Sequence, residues 1–220
     1  MSDSSAAGTR GRLLDSAERL LTEHGMAATS VRMITEEAGA NVASVNYHFG
    51  SKEDLIRAVL ERRMADIDDM RMQRLDALEV GGRKPSVDEI VRACIEPLIV
   101  QGVSRETSEM VPFVLLLRQL MADPDMGQKI LHNWEPPLVL QRVGRALSAA
   151  TGTRELRPLE LKLMAMLMHS SAIEILHAIT GKPSSAYEAA PDRDEIVERG
   201  MRFAISGIEA YLIEPALEDA

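Results

Sequence analysis

The sequence is poor in most of what would mark an enzyme, a secreted protein or a membrane protein. Aromatic residues make up 3% of 220. No stretch alternates apolar with polar, so half-buried strands are not expected. The single cysteine, Cys94, excludes an internal disulfide and a thiolate metal site. It falls in an apolar helical run and reads as a buried, inert thiol. Apolar runs such as 111–117 and 164–168 are far shorter than the ~20 residues of a membrane span. The start of the chain lacks the basic and apolar stretches of a signal peptide. A flexible tail over 1–9 in a cytoplasmic protein, with no membrane partner, is the expectation.

Catalytic signatures are missing too. There is no phosphate loop, dinucleotide fingerprint or Gly-x-Ser-x-Gly elbow. The histidines at 24, 48, 132, 169 and 177 show no close zinc-ligand spacing. Acidic pairs such as Glu36-Glu37 and Asp68-Asp69 read as solvated helix faces. No catalytic residue, metal site or cofactor is expected. Nor is there an excess of basic charge, since the net charge is −9. Residues 1–63 hold eight Lys/Arg against nine Asp/Glu, so their own net is only −1. Bulk charge gives no support to nucleic-acid binding, and any such case must rest on a local motif.

What is present is helical periodicity. With 45% hydrophobic and 27% charged residues, the chain can fill one ordinary core or two small ones. Leu13, Leu14, Ala17, Leu20 and Leu21 recur at helical spacing. Thr9 stands as an N-cap and Gly25 as a left-handed stop, which predicts a first helix over about 10–24. Thr29 or Ser30 caps a second helix with Val31, Ile34 and Ala38 inward. Gly39 supplies the turn, and Asn41 caps a third helix over 42–48 with Val45 and Phe49 inward. Ser51 caps a long fourth helix over 52–78. The segment 80–86, with Gly81, Gly82 and Pro85, is the clearest break. Further helices are predicted over 87–102, 104–122, 125–150, 156–180 and 193–213, set apart by Pro124, Gly152 with Pro158, and Gly181 with Pro183.

Segment 29–49 places a helix, a glycine turn and a short second helix within about twenty residues. That geometry rests one helix on a DNA backbone and puts the next in the major groove, which is about 12 Å wide. With Val45 and Phe49 inward, Val42, Ala43, Ser44, Asn46 and Tyr47 are left to reach outward. Gly39, then Asn46-Tyr47-His48-Phe49-Gly50-Ser51-Lys52-Glu53 and Leu55, resembles the signature of TetR-family regulators. The resemblance is strong over about 10–60 and continues beyond only as a helical layout.

The resemblance implies an all-α fold: an N-terminal three-helix helix-turn-helix domain over 10–55 and a larger helical ligand-binding and dimerisation domain over 56–220. It implies a ligand-responsive repressor that binds a palindromic double-stranded operator as a homodimer. Among relatives, the Asn-Tyr-His-Phe variant is most similar to regulators of lipid and stress metabolism. Asn41 then starts the reading helix, and Ser44 approaches base or phosphate. Tyr47, His48 and Lys52 contact phosphates, and Thr29 or Ser30 offers a hydroxyl and helix amides to another phosphate. Val42 stands where many members carry Arg or Lys, and Asn46 where many carry Tyr. No guanidinium fork is left on this helix for guanine. Asn46 can pair with adenine, Val42 and Ala43 can touch thymine methyls, and Arg32 can reach backbone or base, which suggests a partly shape-read site.

For the dimer, the last helix offers Ile196, Gly200, Phe203, Ala204, Gly207, Ile208 and Tyr211. The preceding one offers Leu161, Met164, Ala165, Met168, Ala172, Ile175 and Ile179. Residues 86–180 are rich in Leu and Met, which suits an adaptable apolar cavity for a small apolar or amphipathic effector. Met110, Phe113, Leu117, Met121, Trp134, Leu138, Met164 and Met168 are candidate walls. Arg118, Gln119, His132, His169, Ser170 and Ser171 are candidate polar groups, although His169 also reads as a satisfied interior histidine. The competing function is a helical small-molecule module with no operator binding.

Overall fold

The computed structural model describes residues 2–80, 82–103, 110–131, 135–180 and 192–213. Ten helices follow one another among the described residues: α1 (Ser2–Ala28), α2 (Val31–Glu37), α3 (Val42–His48), α4 (Lys52–Glu79), α5 (Val87–Gln101), α6 (Pro112–Ala122), α7 (Pro124–Leu131), α8 (Leu138–Thr151), α9 (Pro158–Thr180) and α10 (Arg193–Ile213). The only extended pairing among them is an isolated bridge between Val103 and Met110. Two compact units result, one holding residues up to Asp66 together with α6 and α7, the other holding the rest.

Three boundaries differ from the sequence reading. The tail expected over 1–9 is helical from Ser2, and Thr9 lies inside α1, where its hydroxyl accepts from Arg12 Nη2 at 3.2 Å. Ala6 and Ala7 are strong helix formers and carry the helix past the expected cap. The helix expected over 125–150 is two helices, α7 and α8, with Pro136-Pro137 between them. Neither proline has an amide hydrogen to continue the ladder. Of the helix expected over 104–122, residues 104–109 lie outside the described residues, and α6 begins at Pro112, after the Val111 amide has bonded back to Gly102 O at 2.9 Å. Gly81, His132, Trp134, Gly181 and Pro183 lie outside the described residues.

In the first unit, Leu13, Leu14, Ala17, Leu20 and Leu21 of α1 are buried, as are Ile34, Val45, Leu55, Ile56 and Val59. Five helical positions recurring at three and four residues produce this apolar stripe. Phe49, expected inward, is only half-buried, with the Arg10 guanidinium 5.1 Å over its ring. A cation over an aromatic face keeps that edge of the core closed without burying the charge.

The second unit is built around α9, and glycines on its neighbours let them approach closely. A Cβ on Gly144 of α8 would fall 2.4 Å from Leu161, one on Gly102 after α5 2.5 Å from Leu176, and one on Gly200 of α10 2.4 Å from Ile175. These contacts correct the proposed dimer face. Ala165, Ala172, Ile175 and Ala204 are buried within the subunit, and Gly200 faces Ile175 of the same chain. The half-buried Gly200 serves helix packing inside one subunit. By length and composition α9 could cross a membrane, which the shorter apolar runs had argued against, yet its Leu161, Met164, Met168, Ile173 and Leu176 are buried in this unit.

Arg71 of α4 is buried here, with 2% of its surface exposed. Pro97 inside α5 has no N–H and leaves a neighbouring carbonyl without its helical donor. Next to it, Arg71 Nε donates to Cys94 O at 2.8 Å. Arg71 Nη1 donates to Asp68 at 2.9 Å, and Nη2 lies 3.4 Å from His169 Nε2. His169 Nδ1 is 2.6 Å from Ala165 O, so the neutral ring donates from Nδ1 and presents a lone pair to the guanidinium. Desolvation first, then Arg71, lowers the His169 pKa to about 3. Desolvation pushes the Cys94 thiol up to about 12, as an inert interior cysteine requires.

His169 therefore stays neutral well below the ordinary imidazole value of 6.5. Between those two values the unfolded chain binds one more proton than the folded one. Stability must fall as pH falls, by up to about 1.4 kcal/mol per pH unit from this group. Urea midpoints measured across that window should drop less steeply in His169→Gln than in the parent. Parallel curves would show that His169 does not contribute.

Candidate nucleic-acid interface

The reading head is shaped by two side-chain caps and one glycine. Ser30 is the cap of α2, its hydroxyl accepting from the Met33 amide at 3.2 Å. Thr29, the other candidate, is turned inward with 1% exposure, its hydroxyl shared between Leu20 O at 3.1 Å and Gly25 O at 2.8 Å. A hydroxyl so committed and so deep is not available to a phosphate, and that expectation is corrected. Gly39 takes φ 60°, which permits the tight turn into α3. Asn41 Oδ1 then accepts from the Ser44 amide at 2.9 Å and from the Ser44 hydroxyl at 3.1 Å. This pairing fixes the first turn of α3 and spends the hydrogen of Ser44 inside the protein.

The remaining face of α3 is outward. Val45 is 1% exposed, whereas Val42 is 49% and Tyr47 81% exposed. Ala43 and Asn46 are exposed as well. His48 is half-buried, its ring edge-on to Tyr47 at 4.9 Å between centroids. An exposed apolar and amide surface, with no acidic side chain on the helix itself, matches the groove-reading geometry expected of this segment.

Most arginines near this head are tied to the protein. Arg12 Nε donates to Ala38 O at 3.0 Å, joining α1 to the end of α2. Arg19 pairs with Glu37 and Glu23, Arg57 with Asp54, Arg62 with Asp15 and Glu18, and Arg63 with Glu18. Arg32 is different: 85% of its side chain is exposed and its pair with Glu36 is long, at 3.9 Å. Lys52 sits at the start of α4, where Ser51 Oγ caps the Asp54 amide at 3.0 Å. Its Nζ donates to Met26 O at 2.8 Å. An ammonium has three donors, so this bond leaves capacity for a phosphate.

Sequence reasoning missed Arg10 and Arg12. Their roles depend on Phe49 and on the α2 terminus, which only the folded head brings near them. The candidate effector walls are divided. Phe113, Leu117, Arg118 and Met121 belong to the first unit, and Met110, Leu138, Met164, Met168 and His169 to the second. Phe113, Leu117, Met164 and Met168 are buried, but Leu138 is 75% exposed and is no interior wall.

Comparison with known proteins agrees with this geometry. Residues 13–59 match the family described as bacterial regulatory proteins, tetR family. The chain is 24% identical over 149 residues to the HTH-type transcriptional regulator BetI 2 of Chromohalobacter salexigens, covering 64% of this chain and 72% of that one. It is 39% identical over 64 residues to the HTH-type transcriptional repressor KstR2 of Rhodococcus jostii, covering 29% of this chain and 31% of that repressor. The fold matches the fatty acid degradation regulator FadR from Bacillus halodurans with a TM-score of 0.55, at 15% identity and over 91% and 96% of the two chains.

The caps are open to test. Asn41→Ala should cost about 1 kcal/mol and lower the thermal midpoint by about 2–4 °C, while Asn41→Ser should retain most of the stability. Equal midpoints for all three proteins would show that the cap contributes nothing. The head built by α1 to α4 and the match over 13–59 lead to one conclusion: residues 13–59 form a helix-turn-helix head that matches the family described as bacterial regulatory proteins, tetR family.

Proposed function

We propose that the chain is a ligand-responsive repressor that binds a palindromic operator as a homodimer. The observation that carries the reading is the outward face of α3, where Val42, Ala43, Asn46 and Tyr47 are exposed over a buried Val45. Asn46 is the group suited to adenine, and Val42 and Ala43 to thymine methyls. Tyr47, His48, Lys52 and Ser30 are the groups proposed for backbone contact, with Arg32 for backbone or base. Lacking a guanidinium on α3, the head relies in part on groove shape.

Pairing is proposed through the outward faces of α9 and α10. Phe203 is 82% exposed and Tyr211 37%. Gly207 between them meets no atom within 4 Å of an added Cβ, so another backbone can approach there. Leu159, Leu163, Met166 and Leu167 form an exposed apolar stripe on α9. Two copies joined this way could read half-sites about 34–36 Å apart or a multiple of that. The effector is proposed to be apolar or amphipathic, because the interior around α9 is apolar, with the adaptable Met164 and Met168 among its buried residues. FadR, a regulator of fatty acid degradation by its name, is a relative in fold whose chemistry is compatible with that class. α4 runs unbroken from Lys52 to Glu79, so a ligand that favoured a shifted α4 would change the pose of the heads by population shift.

Selection of bound sites from random duplex DNA should enrich a palindrome. Tyr47→Ala and Lys52→Ala should each weaken binding across sequences, and Lys52→Ala should also reduce the salt slope by about 1. Asn46→Ala should relax preference at one position per half-site. Failure of the parent protein to enrich any site at low salt would end the operator reading. Sedimentation should show a dimer that Phe203→Glu converts to monomer without loss of helix content. A monomeric parent protein would overturn the proposed pairing.

A further inference from the structure

The end of α1 is gripped by two other elements at a single residue. Gly25 has φ 81° and ψ 168°, which interrupts the helix just before Met26. The Met26 amide donates to Gln119 Oε1 of α6 at 3.2 Å. The Met26 carbonyl accepts from Lys52 Nζ of α4 at 2.8 Å. Its side chain is 3% exposed. The Gln119 carboxamide also lies against Gly25, where an added Cβ would come within 3.2 Å of Oε1. Thr29, three residues on, closes the joint on Gly25 O, and α2 starts at Val31.

We infer that Gln119 is a positioning residue for DNA reading, the side chain by which α6 holds the joint from which α2 and α3 extend. This rests on the operator-binding reading above. A carboxamide can accept from an amide only through its oxygen, so the bond orients Gln119 and fixes Met26 against α6. Hydrogen bonds weaken steeply as distance and angle depart from the optimum. A displacement of α6 therefore either carries the joint with it or breaks the bond. Chain continuity gives α6 a lever, since it is entered directly from Val111 of the second unit. Gln119 is itself exposed, so its removal does not open a core cavity. Lys52 acquires a second role: besides facing the backbone of DNA, it holds the next peptide group through the carbonyl of the same residue.

The test uses the full chain and an operator taken from the selection above. Gln119→Met keeps length and flexibility but removes the strong acceptor, and Gln119→Glu keeps an acceptor oxygen. In Gln119→Met the Met26 amide, followed by hydrogen exchange in NMR spectra, should lose about tenfold in protection, and operator affinity should fall by about tenfold. The slope of log affinity against log salt should stay at the parent value, because no phosphate contact is lost. Gln119→Glu should restore both protection and affinity. Unchanged Met26 exchange or unchanged affinity in Gln119→Met would overturn the inference, as would equal losses in the two variants. If the parent protein selects no operator, the operator reading fails and this inference fails with it. An operator-binding parent with an unaffected Gln119→Met removes Gln119 alone.

Discussion

The reading head depends on one backbone break. At Gly25 the chain leaves α1 with φ 81°, a conformation that a side chain would strain. The peptide groups exposed by that break are taken up at once. Thr29 closes on Gly25 O, Gln119 accepts from Met26 and Lys52 donates to it. Two of these ties come from distant stretches of chain, so the angle between α1 and α2 is fixed by tertiary bonds as well as by the loop itself. Arg12 adds a fourth by holding Ala38 O at the far end of α2. The position of α3 follows, because the Gly39 turn and the Asn41 cap leave it little freedom.

This arrangement also accounts for the unusual charge of the head. Its arginines are spent on structure, paired with Asp15, Glu18, Glu23, Glu37 and Asp54 or bonded to carbonyls. Exposed pairs of this kind contribute little each, but together they orient helices that share only a small core. The surface left to DNA is apolar and amide in character, with Arg32 and Lys52 as nearby cations. Affinity from phosphates and specificity from Asn46 and methyl contacts is the division of labour such a surface permits.

The second unit meets a different constraint. Helices approach α9 so closely that glycine is needed at Gly102, Gly144 and Gly200. Pro97 breaks the ladder of α5 beside the point where Arg71 enters the interior. Burying a guanidinium is costly unless its donors are met, and here Cys94 O, Asp68 and His169 meet them. α4 is thereby pinned by bonds as well as by packing in the half of the chain proposed to sense a ligand.

The sequence by itself determined the all-helical character, the caps at Asn41 and Ser51, the turn at Gly39 and the outward placement of Val42, Ala43, Asn46 and Tyr47, while it left the α2 cap open between Thr29 and Ser30 and counted Ser44 outward as well. These are local matters: a cap, a positive φ and a 3.6-residue period act within one or two turns. It also showed the stop at Gly25, though not the helix running back past Thr9, where competing propensities have similar strength; the double proline Pro136-Pro137, with no amide hydrogens, was itself a legible mark of the division between α7 and α8. Only the tertiary structure decided that Thr29 points inward and that Gly200, Ala165 and Ile175 serve one subunit. It alone showed that Lys52 and Gln119 meet at Met26 and that Arg71 lies buried beside His169. An apolar stripe on a helix has the same spacing whether its partner is the same chain or a second copy. A polar side chain has the same letter whether its hydrogen-bond partner lies four residues away or ninety-three, and burial selects among those partners.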